Sequence, residues 1–293
     1  MADRREALDA VAPQADVLRV LADLGLEPRS FTPVGGYPKW RRGRVTYRVE
    51  LESGDAVKVR RLTRTRAPRR AELVVRALDD PDLPAPLALD GRVTVERWVD
   101  GVPLSTITPT MPQIEAAADL LGRLHAHASV PGRPFRRVGS LAPLLAKSER
   151  HIGALRERDL LTDVEARALV ARLRDGLPER AMRGVVHGDL CAENLVVTRD
   201  DRLVSIDNER VRIDFLDFDL ARTWVRWPMP APARARFDRR YSTWGRSVPG
   251  ADETAAWRVS AAVKSALTIS GTPDVGHDRA RAQLDRLLAS EPG

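Results

Sequence analysis

The sequence predicts an α+β protein with two lobes, a small mixed α/β lobe over residues 1–99 and a larger, mainly helical lobe over residues 100–293. Segments with strand character dominate the first part, whereas apolar residues recur at helical spacing over most of the remaining chain. Of the 293 residues, 43% are hydrophobic and 30% are charged, which is an ordinary globular composition. This composition excludes a disordered or fibrous chain.

The first lobe is predicted to follow the order helix, strand, strand, helix, strand. Its strands alternate apolar and polar residues, and its helices repeat apolar residues every three or four positions. The segments are a helix over 16–24, strands over 45–51 and 56–62 joined by a hairpin turn at 52–55, a helix over 69–78 and a strand over 92–99.

The second lobe is predicted to be helical around an inserted pair of strands. It follows a linker at residues 100–103, and the chain after Asp219 is mainly helical apart from a proline-rich exposed loop at 228–236. The clearest helices cover 113–128 and 163–174, and the short strands cover 184–190 and 202–207.

Composition also indicates the compartment. No apolar run approaches the ~20 residues that a membrane-spanning helix needs. The first residues alternate charged and apolar side chains and lack the apolar core of a secretory signal. Cys191 is the only cysteine, so the chain cannot form an internal disulfide, and we expect a cytoplasmic protein.

Positive charge is concentrated in one segment. Residues 39–70 carry twelve basic and three acidic residues, a net charge of +9, whereas the whole chain has a net charge of +7. Such a segment could bind nucleic acid, an anionic membrane surface or polyphosphate, and a solvated arginine face is the competing interpretation.

The residues from His187 to Asn194, His-Gly-Asp-Leu-Cys-Ala-Glu-Asn, are the most informative segment, and Asp207 follows thirteen residues later at the end of a predicted strand. Phosphoryl transfer needs a carboxylate that accepts the proton of the acceptor hydroxyl. It also needs oxygen ligands that hold Mg²⁺ against the nucleotide phosphates. Asp189, Asn194 and Asp207 supply these three groups.

This pattern resembles the catalytic segment of the aminoglycoside phosphotransferase and choline kinase-like families, which share the protein kinase fold. Lys58 in a Val-Lys-Val strand and Glu72 in the following helix lie in the order that the resemblance requires. The segment 217–221, Asp-Phe-Asp-Leu-Ala, resembles the family's later Asp-Leu-Ala helix start. The ordered match covers residues 34–222, about two thirds of the chain.

The resemblance implies roles within the catalytic loop. Asp189 would be the catalytic base, and His187 would fix the conformation of the loop. Asn194 and Asp207 would be the Mg²⁺ ligands, and Asp219 would stabilise the loop from beneath. Ile213-Asp214 is an alternative metal position, but the spacing from Asn194 favours Asp207.

The resemblance also implies the nucleotide contacts. Lys58 would bind the α- and β-phosphates of ATP or GTP, with Glu72 orienting its ammonium group. The other implied contacts are backbone groups of the glycine turn at Gly35 and Gly36 and of the segment from Glu96 to Trp98, which would meet the adenine edge. Cys191 would face the γ-phosphate and be reachable by reagents, with a buried thiol as the alternative.

Two departures from the protein kinase pattern predict a small-molecule acceptor. Cys191 stands where protein kinases carry a lysine, and Asp207 and Asp219 are only twelve residues apart, which leaves no room for a peptide-docking segment. The predicted reaction transfers the γ-phosphate of ATP or GTP to a hydroxyl group of an antibiotic, a sugar or a related metabolite.

The sequence says less about the charge of the acceptor than about its size. Residues 221–293 carry twelve basic and seven acidic residues, which favours a neutral or anionic acceptor. Trp224, Arg226 and Trp227 are its predicted contacts. The segment 187–220 has nine acidic and four basic residues and keeps a cationic acceptor open.

Two rival functions remain from the sequence. One is a catalytically silent, kinase-like regulator that binds nucleotide, and the presence of Asp189, Asn194 and Asp207 argues against it. The other is a nucleic-acid-binding protein that uses residues 39–70, whose affinity would depend steeply on salt. The sequence makes no prediction between a monomer and a dimer.

Overall fold

The computed structural model divides into two compact units, one of Met1–Val102 with Val196–Arg210 and one of Pro103–Leu195 with Val211–Gly293. The residues that the structure describes are 13–34, 45–62, 74–127, 129–130, 133–134, 137–246, 248, 250–271 and 276–289.

Strands occur in both units and helices dominate the second. In chain order, the strands are β1 (Pro28–Pro33), β2 (Val45–Leu51), β3 (Ala56–Arg61), β4 (Ala88–Asp90), β5 (Val93–Arg97), β6 (Gly101–Pro103), β7 (Ser129–Val130), β8 (Arg133–Pro134), β9 (Arg137–Ser140), β10 (Arg180–Val186), β11 (Leu195–Thr198), β12 (Leu203–Ser205) and β13 (Arg212–Phe215). The helices are α1 (Ala15–Asp23), α2 (Met111–Ala126), α3 (Ala142–Arg156), α4 (Asp163–Gly176), α5 (Leu216–Arg226), α6 (Ala231–Ser242), α7 (Ala251–Ser270) and α8 (Gly276–Ala289).

An antiparallel sheet with the strand order β1-β2-β3-β5-β4 forms the first unit. Every second residue of β2 is buried, as the alternating sequence predicts, and its inner face packs with apolar residues of α1. The register of β3 and β5 places Lys58 directly opposite Glu96. Residues 74–78 are helical, and the start of the predicted helix over 69–78 lies outside the described residues.

The segment 196–210 belongs to the first unit, which differs from the sequence-based boundary that places all of residues 100–293 in the second lobe. One backbone and one side-chain hydrogen bond connect this segment to residues of the first unit. The Ser205 amide donates to Asp82 O at 2.8 Å, and Asn208 Nδ2 donates to Pro84 O at 3.3 Å.

Residues 100–103, which the sequence predicts to be a linker, contain strand β6. This strand lies beside β11 in the sheet order β12-β11-β6. A Cβ atom on Gly101 would lie 2.2 Å from Val197 O. The close approach of these two backbones therefore requires glycine at position 101.

Helices α3, α4, α7 and α8 share a core of leucine, valine and alanine side chains in the second unit, and α2 packs against α6. Strands β13, β10 and β9 form an antiparallel sheet in this unit. The exposed loop predicted at 228–236 is wrong from Ala231 onwards, because α6 begins there with Pro232 in its first turn, where proline is tolerated. Within the described parts of the chain, none of the helices is both long and apolar enough to span a membrane.

Gly122 provides a test of the packing between α2 and the residues that follow α6. A Cβ atom on Gly122 would lie 2.2 Å from Trp244 Cδ1, and the Trp244 indole is fixed by its hydrogen bond to Asp119 Oδ1 at 2.8 Å. Alanine in a helix normally stabilises by about 1 kcal/mol relative to glycine. Overpacking costs about 1–3 kcal/mol, so we expect Gly122→Ala to lower the free energy of unfolding.

The matched control is Gly153→Ala in α3, where a Cβ atom would meet no atom within 4 Å. We expect this substitution to raise the free energy of unfolding by about 0.5–1 kcal/mol. Urea denaturation of both variants measures the difference, and stabilisation of the protein by Gly122→Ala would contradict the packing.

Candidate active site

One buried carboxylate holds the backbone of the loop that follows β10. Asp219, in the first turn of α5, accepts the His187 amide on Oδ2 and the Gly188 amide on Oδ1, both at 2.8 Å. Gly188 has a φ of 78°, in the left-handed region that favours glycine. The loop is therefore fixed at the two residues before Asp189.

Asp219 is itself held by the buried side chain of His125, which in turn contacts the buried Tyr241. His125 Nε2 lies 3.2 Å from Asp219 Oδ2, and His125 Nδ1 lies 2.7 Å from the Tyr241 hydroxyl. Burial lowers the pKa of His125, so the ring is neutral at neutral pH, with Nε2–H donating to Asp219 and Nδ1 accepting from Tyr241. Burial is the largest influence on the pKa of Asp219 and would raise it, but hydrogen bonding from His125 and the nearby basic groups together outweigh burial, and the pKa is lowered.

Two further contacts lie within the loop. The Asp189 amide donates to His187 Nδ1 at 3.3 Å, and Asn194 Nδ2 donates to the Asp189 carbonyl at 2.9 Å. The His187 ring is fully buried, so it supports the backbone of Asp189. The structure thus brings together three residues that the sequence places in one site, His187, Asp189 and Asn194.

The side chain of Asp189 contacts two arginines of α5. Arg226 was predicted from the sequence as an acceptor contact, whereas Arg222 was not identified as a site residue. Arg222 Nη2 lies 2.9 Å from Asp189 Oδ1, and Arg226 Nε lies 3.4 Å from the same oxygen. Arg222 and Asp189 are both buried, whereas Arg226 is partly exposed. Their spacing from Asp219, three and seven residues, is the sequence signal that places them on the same helix face.

The first unit contains its own charged cluster. Lys58 Nζ lies 2.8 Å from Glu96 Oε2 and also pairs with Asp207. Arg60, two residues further along β3, pairs with Asp207 and, at 2.5 Å, with Glu209 Oε2. Burial lowers the pKa of Arg60, but the carboxylates of Glu209 and Asp207 outweigh this effect and raise it.

Asp207 has a φ of 61°, in the left-handed region that aspartate adopts more often than most residues other than glycine. Lys58 and Asp207, which the resemblance assigns to the phosphates and the metal, are thus in contact within one unit. Arg60 and Glu209 have no counterpart in the residues that the resemblance singled out.

Several predicted nucleotide contacts stay predictions. Gly35, Gly36 and Glu72 lie outside the described residues. The Trp98 amide donates to Ala56 O at 3.1 Å and so continues the sheet, while the Glu96 side chain contacts Lys58. The adenine contact of the segment from Glu96 to Trp98 therefore remains an expectation from the resemblance.

The predicted Mg²⁺ ligands, Asn194 and Asp207, lie in different units, and each carries oxygen atoms of the kind that Mg²⁺ prefers. Because Asn194 Nδ2 donates to the Asp189 carbonyl, Oδ1 is the atom of this side chain that would bind a metal. The Asp207 carboxylate already attracts two cationic side chains. The alternative residue Asp214 pairs with Arg212 at 2.7 Å and accepts the Phe215 amide at 2.9 Å.

A metal site can also consist of clustered histidine, cysteine, aspartate and glutamate side chains. Among the residues described, no group of three or more histidine, cysteine, aspartate and glutamate side chains is arranged to hold a metal ion.

Cys191 is fully buried, so the expectation of a reachable thiol is wrong and the buried alternative is correct. Its Sγ lies 3.5 Å from Arg226 Nη2. Burial raises the pKa of the thiol to about 12, although the nearby Arg226 lowers it. Trp224 and Trp227, predicted as acceptor contacts, are also buried, with 5% and 9% exposure.

Because the Cys191 thiol is buried, we expect it to react slowly with alkylating reagents. Because the thiolate is the reactive form and the folded protein disfavours it, iodoacetamide should leave Cys191 unmodified at pH 8 over several hours. Intact mass measures the modification, and the same protein in guanidinium chloride, which should gain one adduct, is the control. Rapid alkylation of the folded protein would contradict the burial.

Comparisons with known proteins identify the family and the fold. Residues 2–257 match the model of the phosphotransferase enzyme family, APH. The structure is similar to a macrolide 2'-phosphotransferase type I, with a TM-score of 0.67 and 18% identity over 94% of this chain and 98% of that chain. A comparison with curated protein sequences gives no match.

Two other solved structures share the fold. Choline kinase LicA from Streptococcus pneumoniae has a TM-score of 0.68 and 15% identity over 94% of this chain and 98% of that chain. A thermostable mutant of aminoglycoside phosphotransferase APH(4)-Ia, solved with ADP and hygromycin B, has a TM-score of 0.65 and 14% identity over 96% of this chain and 100% of that chain.

These similarities confirm the predicted α+β, protein kinase-like fold. The family match covers most of the chain and confirms the resemblance found in the sequence. The protein therefore belongs to the APH phosphotransferase enzyme family and is a small-molecule kinase.

Proposed function

We propose that the protein transfers the γ-phosphate of ATP or GTP to a hydroxyl group of a small molecule, with Asp189 as the catalytic base. The observation that carries this proposal is the loop geometry around Asp189. The backbone just before Asp189 is fixed by hydrogen bonds to Asp219, and the Asp189 side chain is fixed by Arg222. A general base needs this kind of fixed orientation toward the proton it accepts.

In the proposed reaction, the acceptor oxygen forms a bond to the γ-phosphorus while the bond from that phosphorus to the β-phosphate oxygen breaks. The hydroxyl proton passes to the Asp189 carboxylate, and the nucleoside diphosphate leaves with the electron pair of the broken bond. His187 contributes by holding the Asp189 amide, which keeps the carboxylate at a constant position in the loop.

The charged cluster of the first unit would serve the nucleotide. Lys58 would bind the α- and β-phosphates, with Glu96 as its observed partner and Glu72 as the partner that the resemblance implies. Asn194 and Asp207 would hold Mg²⁺, which when bound neutralises the charge of the phosphates. The contact between Lys58 and Asp207 supports this assignment, because both residues would act on the same phosphate chain.

The proposed acceptor is an antibiotic, a sugar or a related metabolite that carries a hydroxyl group. The solved structures with the same fold include enzymes named for a macrolide and for choline, and one that holds hygromycin B. Arg226 supports a neutral or anionic acceptor here, since its partly exposed guanidinium lies beside Asp189 and would repel a polycation.

A library of hydroxyl compounds, assayed for acceptor-dependent ADP or GDP release with Mg²⁺, tests this proposal. We expect at least one compound to stimulate turnover. Asp189→Asn should lower the turnover number by at least about 100-fold, which is within the range for loss of a general base. The affinity for Mg²⁺-nucleotide, measured by calorimetry, should change little.

The control for this substitution is Asp200→Asn, which removes the same charge in the exposed turn between β11 and β12 and should leave turnover unchanged. Full turnover in Asp189→Asn would refute the assignment of the base. Tight nucleotide binding without turnover for any acceptor would support the silent regulator instead.

A further inference from the structure

We propose that Arg222 is a positioning residue for catalysis, which holds the carboxylate of Asp189 in its working orientation, with Arg226 in a supporting role. This inference rests on the proposed function, because it takes Asp189 as the base. The sequence resemblance assigns neither arginine a role. The geometry of α5 and the loop after β10 carries the inference.

Helix α5 contacts the catalytic loop through one face. Asp219, Arg222 and Arg226 follow at intervals of three and four residues, so their side chains leave the helix on the same side. Asp219 binds the backbone before Asp189, and the two arginines bind its side chain. A single rigid element therefore controls both the position and the orientation of the base.

The two arginines are not equivalent. Arg222 Nη2 lies 2.9 Å from Asp189 Oδ1, and its side chain is 5% exposed, so the contact is short and shielded from water. Arg226 Nε lies 3.4 Å from the same oxygen, and its side chain is 27% exposed. An ion pair is stronger where water is excluded and the geometry is good, so Arg222 is the dominant restraint.

The chemistry of the guanidinium group explains why arginine suits this role. An aspartate side chain can rotate about two bonds, and a base displaced by about 1 Å from its substrate can lose about 100-fold in rate. Arginine presents several N–H groups in a rigid plane, whereas lysine offers one flexible point charge. Arg222 thus restricts the rotation of the Asp189 carboxylate before any acceptor binds.

A double-mutant cycle tests whether Arg222 acts through Asp189. Arg222→Met should lower the turnover number by about 10- to 100-fold. The KM for nucleotide should stay within about twofold of the value for the unsubstituted protein, because the substitution removes no proposed contact to the bound nucleotide. In the Asp189→Asn background, the same substitution should change the residual turnover by less than about threefold, since its effect depends on the carboxylate.

A merely structural role for Arg222 would give a different result. Arg222→Met would then lower turnover by the same factor in both backgrounds, and this outcome would overturn the proposal. The matched control is Arg234→Met, which also removes an arginine paired with an aspartate, Asp238, at 2.7 Å, although Arg234 is less buried than Arg222. We expect this control to lose stability without loss of turnover.

The conservative variant Arg222→Lys keeps the proposal testable if Arg222→Met does not fold. It retains the charge but lacks the planar guanidinium, so we expect turnover at least about fivefold below that of the unsubstituted protein, with a normal KM for nucleotide. Full turnover in Arg222→Lys would contradict the role of the guanidinium plane. If the unsubstituted protein shows no acceptor-dependent turnover, the proposed function fails, and this result is distinct from every outcome of the cycle.

Discussion

The pair of hydrogen bonds that the Asp219 carboxylate accepts is the interaction on which the loop of the proposed base depends. The carboxylate accepts two successive amides, from His187 and Gly188, in a position fully shielded from water. Hydrogen bonds to a charged acceptor are roughly twice as strong as neutral ones. Each buried donor left without an acceptor would cost about 1–3 kcal/mol, so the loop and the carboxylate stabilise each other.

A buried carboxylate of this kind needs a partner of its own, which is His125 from α2, and Tyr241 from α6 holds the other nitrogen of that ring. The packing of these helices therefore affects the loop through Asp219. Trp244, which fills the space over Gly122, belongs to the same packing. The position of the proposed base is in this way linked to the packing of α2 against α6 in the second unit.

Arginine is the common partner of the two carboxylates to which the proposal assigns chemistry. Arg222 and Arg226 contact Asp189, and Arg60 contacts Asp207 together with Lys58. A planar guanidinium restricts a carboxylate more than an ammonium does. A chain in which arginine greatly outnumbers lysine can use this restraint in both units.

Local patterns predicted much of the fold. The hairpin of β2 and β3 follows from alternating apolar residues, and the helix over Asp163–Gly176 follows from its periodicity. Strand β1 was missed because its two prolines and its weak alternation resemble a loop. Strand β6 was missed because three residues become a strand only through pairing with β11, which lies far away in sequence.

In the candidate site too, local patterns were visible in the sequence and contacts between distant residues were not. The order of Asp189, Asn194 and Asp207 was visible because these residues lie close together in the sequence. The contact of Arg222 with Asp189 spans 33 residues, and that of Arg60 with Asp207 spans 147. Such contacts depend on tertiary packing, and an arginine in a chain rich in arginine carries no local signal of its partner.

Hydrogen exchange at the His187 and Gly188 amides tests the central claim, that Asp219 holds the loop of the base. In Asp219→Asn, exchange at these amides should accelerate by at least about tenfold, which corresponds to a loss of about 1.4 kcal/mol. Turnover should fall in parallel, while amides in the α4 helix keep their protection. Unchanged exchange at His187 and Gly188 in this variant would contradict the account.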